Sequence, residues 1–436
     1  MSRLESVAKD FDPFYCNHLF KRRKDTPTYK LWLVGLLAVV ALIVVNAAQG
    51  TLGDAQHFQL VGDVLRITGL GGDQPASSPE FPLVRDVTSW LLLLSVISGT
   101  VLLHRQWQLM SVCVSRLVRN GALVPKKEVH TGPEDARVLD RRATFGLNGV
   151  SRAIGIDRII RGCTVETALP TLLRSVNERM HRLRSVFFLV QLVLAFILSG
   201  LLIQGEKHGL FVTVAPHDLS GAQRDQWLAE TYRNWWAGEN HLPGYFLYWT
   251  YAVFAIFVIL QYHVVGLVSI YLTMGLRFVC RPSADWLNRD GRYGWTPLGR
   301  VFRTVILATT LLGLTLTVTL AALGLDNFPW VGFLVVLYIV VVPVFILVPP
   351  IVFGKAESTA KEDRINDLVR AMERRKIDIV DVEATTPYVV EIERCRTANI
   401  RPLRLRTASS SFLILVLLPI LLAAVQTFFP WLLGSG

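Results

Sequence analysis

Residues 185–204 read SVFFLVQLVLAFILSGLLIQ, a run without a charged side chain, bracketed by Arg182 and Arg184 on one side and Glu206 and Lys207 on the other. At about 1.5 Å of rise per residue, such a helix is about 30 Å long, the thickness of a bilayer's hydrocarbon core. Six more charge-free runs invite the same reading: Leu31–Ala48, Val87–His104, Gly244–Leu276, Thr304–Leu325, Pro329–Gly354 and Phe412–Phe429. A soluble protein can bury one or two helices of this purity, but seven would leave too little polar surface to face water. The sequence therefore predicts an all-α, polytopic membrane bundle of about seven transmembrane helices with cytoplasmic helical extensions.

Composition agrees with this reading. Of 436 residues, 52% are hydrophobic and only 18% charged, where average globular chains carry about 25% charged residues. Disordered, collagen-like and disulfide-scaffold classes are excluded. Of 45 Lys and Arg, 40 lie on one set of alternating segments. The other set holds only Arg66, Arg85, Lys207, Arg224 and Arg233. The positive-inside rule then puts the N-terminus in the cytoplasm and the C-terminus outside.

The expected organisation follows. A cytoplasmic N-terminal segment (1–30) precedes the first two spans (31–104, outer loop 49–86). A basic cytoplasmic helical segment (105–184) leads to spans three and four (185–276, outer loop 205–243). A cytoplasmic loop rich in Asp, Gly and Arg (277–303) precedes spans five and six (304–354). A cytoplasmic amphipathic helix and basic segment (355–411) lead to the seventh span and outer C-terminus (412–436). The lead before the first span is long and holds Asp10, Asp12 and Asp25, which predicts an uncleaved anchor in a multi-pass membrane protein. Cys16, Cys113, Cys163, Cys280 and Cys395 all fall in cytoplasmic segments, so no disulfide is expected. Cys16, His18 and Cys163 lack the CxxC spacing of a zinc site, and neither a metal nor a cofactor is expected.

Aromatic residues cluster near the outer ends, among them Tyr232, Trp235, Trp236 and Tyr248, and are expected to form an interfacial belt, with a sugar platform as the rival reading. On the cytoplasmic side, three stripes recur at helical spacing: Leu109, Val112, Cys113 and Leu117; Leu169, Leu172, Leu173 and Val176; Ile365, Leu368, Val369 and Met372. They are expected to pack into a cytoplasmic layer or to receive a partner protein. The basic clusters Lys21, Arg22, Arg23, Lys24 and Arg401, Arg404, Arg406 border spans and are expected to contact anionic lipid headgroups. No motif supports nucleic-acid binding.

Within the membrane, Gln261 and His263 form the candidate polar site, since such groups in hydrocarbon must face other helices or water. Thr310, Gly313, Thr317, Ala321 and Gly324 line one face of the fifth span, a helix-packing face or, alternatively, a hydroxyl-lined pore. Pro343 and Pro419 are expected to kink the sixth and seventh spans. Between spans four and five the chain reads SADWLNRDGRYGWTPLGR over 283–300, which singles out Asp285, Asn288, Asp290, Gly291, Gly294, Gly299 and Arg300. An EF-hand is excluded because its twelfth position is Thr296 instead of Glu. The stretch resembles the pattern His-Pro-Asp-Gly-x-Gly-Gly-Leu-x-x-Leu-Gly of a group of bacterial polytopic membrane proteins of unknown function. Asp290, Gly291, Gly294, Leu298 and Gly299 match that pattern, while Asn288, Arg289, Tyr293 and Trp295 depart from it. A capped turn opening the fifth span explains the same residues.

Catalytic signatures are lacking: the sequence has no HExxH, GxSxG or Walker loop, and no carboxylate within a span for ion coupling. The expectation is a non-enzymatic pore or channel-like protein. A membrane-embedded sensor or scaffold acting through its cytoplasmic helices is the alternative, ahead of a transporter, and a homo-oligomer is compatible with either.

Overall fold

Charge-free runs become helices wherever the structure describes them. The structure is a computed structural model that describes residues 3–14, 28–53, 80–125, 155, 158–159, 163, 165–207, 221–323, 357–377 and 381–400. The long helices are α2 (Thr28–Gln49), α3 (Val87–Arg119), α4 (Val165–Lys207), α6 (Leu242–Val279) and α7 (Thr296–Leu323). Shorter ones are α1 (Arg3–Lys9), α5 (Gly221–Arg233), α8 (357–374) and α9 (Val382–Thr397). The first four apolar runs lie in α2, α3, α4 and α6, and residues 304–323 of the fifth lie in α7, while runs six and seven, with Pro343 and Pro419, fall outside the described residues.

Among the described residues, two helices are long and apolar enough to cross a membrane, Thr167–Lys207 and Leu242–Leu276. Only 22% and 33% of their most apolar windows are buried. On α4, Val186, Phe188, Leu189, Val190 and Ile197 are exposed, and on α2 so are Leu33, Leu36, Leu37 and Val44. A core helix of a water-soluble protein would instead hide such a face.

The all-α expectation takes one small correction. Directly after α3, β1 (Leu123–Pro125) pairs antiparallel with β2 (Cys280–Pro282), which directly follows α6. Three-residue strands ending in proline carry no alternation that a sequence reading could detect. The ribbon ties the C-terminal ends of α3 and α6 together.

Helix packing builds two cores. The one beside the ribbon joins Met110, Cys113, Val114 and Leu117 of α3 with Leu169, Leu172, Leu173 and Val176 of α4, Val268 and Leu272 of α6, and Val301 and Phe302 of α7. Of the expected cytoplasmic stripes, Leu109 and Val112 are half-buried, while Cys113 and Leu117 and all four residues of the second stripe are buried together. The third, on α8, is not: Val369 is exposed and its stripe mates are half-buried. At the opposite end, Leu42, Leu83, Leu93 and Ile203 cluster with Tyr232, Trp235, Trp236 and Tyr248.

Candidate functional site

Asp290 organises the loop between α6 and α7. One carboxylate oxygen accepts from the backbone N–H groups of Arg292 (2.9 Å) and Gly294 (2.8 Å), and the other from that of Thr296 (3.1 Å), the first residue of α7. The Thr296 hydroxyl returns a bond to the Asp290 carbonyl at 3.0 Å. Burial raises the Asp290 pKa, but the Gly294, Arg292 and Thr296 amides outweigh it, so the carboxyl sits below its usual range. Gly291 and Gly294 adopt φ of 73° and 92°, where a side chain is strained, and a Cβ on Gly294 would meet that of Ala122 at 3.2 Å. Asn288 and Tyr293 share this left-handed region, and the Asn288 side-chain oxygen accepts from the Tyr293 N–H at 2.9 Å.

Around this knot several elements meet. Asp285 accepts from Leu287 N–H (3.2 Å) and pairs with Arg289 (3.3 Å). Trp295 donates its indole N–H to the Ser283 carbonyl at 2.9 Å. The Arg364 guanidinium of α8 lies 6.0 Å from the Trp286 ring, and Arg394 of α9 donates to the Trp286 carbonyl at 3.3 Å. Gly299 is buried and Arg300 exposed in the first turns of α7. The Asp290 carboxylate is therefore occupied by the backbone and acts as a capping group that opens α7. Glu357 on α8 is buried and pairs with Lys361 at 3.0 Å.

At mid-bundle, Gln261 Nε2 donates to Gln191 Oε1 of α4 (2.6 Å), while Gln191 Nε2 donates to the Leu260 carbonyl (3.2 Å). His263 Nδ1 lies 2.7 Å from the Ile259 carbonyl of its own helix. The structure thus pairs Gln261 with Gln191, a residue readable inside the quoted run, and does not join it to His263. Thr310 is exposed and donates to the Ile306 carbonyl (2.8 Å), whereas Gly313 is buried, so the expected packing face of α7 does not close over Thr310. Thr317 and Ala321 lie in α7, while Gly324 and the clusters Lys21, Arg22, Arg23, Lys24 and Arg401, Arg404, Arg406 fall outside the described residues.

The end of the bundle opposite the ribbon holds a polar core that sequence reasoning missed. Asp86 caps α3, accepting from the Ser89 N–H (3.0 Å) and hydroxyl (2.6 Å). The same carboxylate accepts both indole N–H groups, of Trp235 (2.8 Å) and Trp236 (2.9 Å). Tyr248, edge-on to Trp235 with ring centroids 4.8 Å apart, donates to buried Glu206 at 3.1 Å. These rings are interior, which corrects the interfacial-belt expectation: their polar tips find carboxylates instead of headgroups. Asp86 before an apolar run with Ser89 three residues on is a readable cap signature, but tryptophans about 150 residues away leave no local signal.

No group of three or more metal-ligating side chains occurs among the described residues. Burial pushes the Cys113 thiol up to about 12, so it is inert at neutral pH. No known protein family, characterised protein or solved structure matches the chain.

Proposed function

We propose that the chain is a non-enzymatic, multi-pass protein of a bacterial inner membrane. In this reading about seven spans enter from a cytoplasmic N-terminus, and the protein is a membrane-embedded sensor or scaffold that acts through its cytoplasmic helical layer. The carrying observation is the convergence on the Asp290 loop: Trp286 meets Arg364 of α8 and Arg394 of α9, next to the ribbon joining α3 to α6. Helices that would cross the bilayer thus share one inner hub with helices that would not. The lipid contacts of Lys21–Lys24 and Arg401–Arg406 remain part of this proposal.

The pore reading draws support from Thr310, a hydroxyl exposed on α7. It draws less from Gln261 and His263, whose bonds run to Gln191 and Ile259. Purified protein in liposomes, assayed for ion flux across pH and voltage, separates the two. The sensor or scaffold reading expects no flux, and expects Asp290→Ala to increase hydrogen exchange in α9. A reproducible conductance abolished by bulky substitution at Thr310 would replace it with the pore.

A further inference from the structure

Helix α9 is apolar on two faces. On one, Thr385 and Cys395 are buried and Tyr388 and Ile392 half-buried, and the helix is tied to α8 by Lys361, which donates to the Arg396 carbonyl at 2.9 Å. On the second, Val382, Val389 and Val390 are 75%, 55% and 61% exposed. Their spacing sets all three on one stripe, with the exposed Thr386 between them. A helix already packed along one face has no need of a bare valine stripe on another, and such a stripe marks a surface to be covered.

Acyl chains do not reach it. Arg394 ties α9 to the Trp286 carbonyl, and from that loop α7 runs past Arg300 and Arg303, both exposed, before its apolar run starts at Thr304. The stretch from Thr296 to Thr304 is about 12 Å of helix. The stripe therefore faces water, and what covers it is a protein surface.

The charges identify that surface. Glu383 and Arg394 are both exposed and lie eleven residues apart, about three full turns, so they flank the stripe on the same side. The Glu383 carboxylate has no ion-pair partner among the described residues. Arg394 uses two of its five N–H donors, on Glu391 and on the Trp286 carbonyl. An unpaired acid, valines and a base with donors to spare thus follow one another along a face that complements itself when turned end for end. A two-fold axis beside Val389 sets Glu383 of each copy opposite Arg394 of the other, whereas a parallel pairing sets like charges together.

We propose that α9 is a self-association surface, on which two copies of the chain pair antiparallel with Val389 and Val390 at the axis and reciprocal Glu383–Arg394 ion pairs beside them. The proposal rests on the scaffold reading above and gives its helical layer a partner, a second copy. Three valines cover far less than the about 800 Å² per partner of a standard interface. The pairing is therefore weak and reversible, and it depends on both copies sharing one membrane, which raises their effective concentration.

Full-length protein carrying Val389→Cys, with the native cysteines replaced by alanine, reconstituted in liposomes and oxidised with copper phenanthroline, tests it. A disulfide-linked dimer is expected, with a yield that falls several-fold when Glu383→Lys or Arg394→Glu is added. Co-reconstituting the two charge variants restores the yield, because each then meets opposite charges on the other chain; this rescue reads pairing and not folding. Asp367→Cys, an exposed position on α8, is expected to crosslink poorly. No dimer from Val389→Cys in inserted protein, equal yields from Asp367→Cys, or equal yields from the charge variants alone and mixed would each overturn the proposal. A monomeric Val389→Cys chain that a maleimide cannot modify would show another segment of the chain covering the stripe, and overturns it too. Failure of the scaffold reading shows separately, as ion flux in the same liposomes before oxidation.

Discussion

Asp86 satisfies four donors with one side chain, two of them indoles from the far side of the chain. Asp86→Ala leaves those indoles buried and unpaired while removing a helix cap, so a destabilisation of about 2–4 kcal/mol is expected, read as a fall in thermal midpoint. Asp86→Asn preserves shape but brings an NH2 group toward two N–H donors, and should recover only part of the loss. A midpoint unchanged by the alanine variant would show that the outer core does not depend on this carboxylate. Asp290 offers a pH test. Its folded pKa lies below the unfolded value near about 3.9, so its stabilisation is full above that value and disappears as pH falls through the folded pKa. Hydrogen exchange across 283–300, corrected for intrinsic rates, should rise in that acid window and lose the step in Asp290→Asn. Asp86 was passed over in the sequence despite its cap signature, whereas Asp290 was visible as a turn residue, because a short carboxylate in glycine-rich chain has few other uses. Their long-range partners were not visible, since nothing local encodes a contact between Asp86 and Trp236.

Helices were the most legible level, because an uninterrupted apolar run permits only one secondary structure in lipid and favours it in a bundle. The pairing of helices was less so. Gln261 stood out as polar at depth, yet the sequence offered His263 beside it, and the structure chose Gln191 across the interface. A double-mutant cycle of Gln191→Leu and Gln261→Leu, measured by reversible unfolding, should return an interaction of about 0.6 kcal/mol. Additive single effects would mean that the pair adds nothing to the α4–α6 contact. The inner hub makes a sharper element-scale claim. Asp290→Ala uncaps α7 and frees the turn that holds Trp286 against α8 and α9, so folded yield should fall well below that of Glu373→Ala, an exposed site on α8. Equal tolerance would reduce the loop to an ordinary connection. The small ribbon of β1 and β2 escaped the sequence reading for the opposite reason to the helices: it is specified by where two helices end, and by no pattern of its own.

Across the molecule, the charge asymmetry and the two polar hubs describe one axis. The hub at Asp290 lies on the segments that hold 40 of the 45 basic residues, and the hub at Asp86 lies on those that hold five. Helices α3 and α6 connect them, each leaving the Asp86 cluster through Ser89 or Tyr248 and reaching the ribbon at the other end. A Tyr262 hydroxyl bond to the Gly99 carbonyl, at 2.8 Å, fixes their register midway. Native Cys395 cannot report which side its hub faces. Cys395 is buried, and burial, followed by the neighbouring Glu391, raises its pKa, so a thiol reagent would miss it from either compartment. Reporters on exposed positions avoid that silence: Gln226→Cys on α5 and Val390→Cys on α9, each in a background with the native cysteines replaced by serine or alanine. An impermeant maleimide applied to intact cells should modify the Gln226→Cys variant at once and the Val390→Cys variant only after permeabilisation. Labelling of both without permeabilisation would place the two hubs on one side of the bilayer and end the membrane-spanning reading, and the reverse pattern would invert it. Because both reporters sit on short, well-exposed helices outside the apolar runs, neither outcome depends on how many spans the chain makes between them.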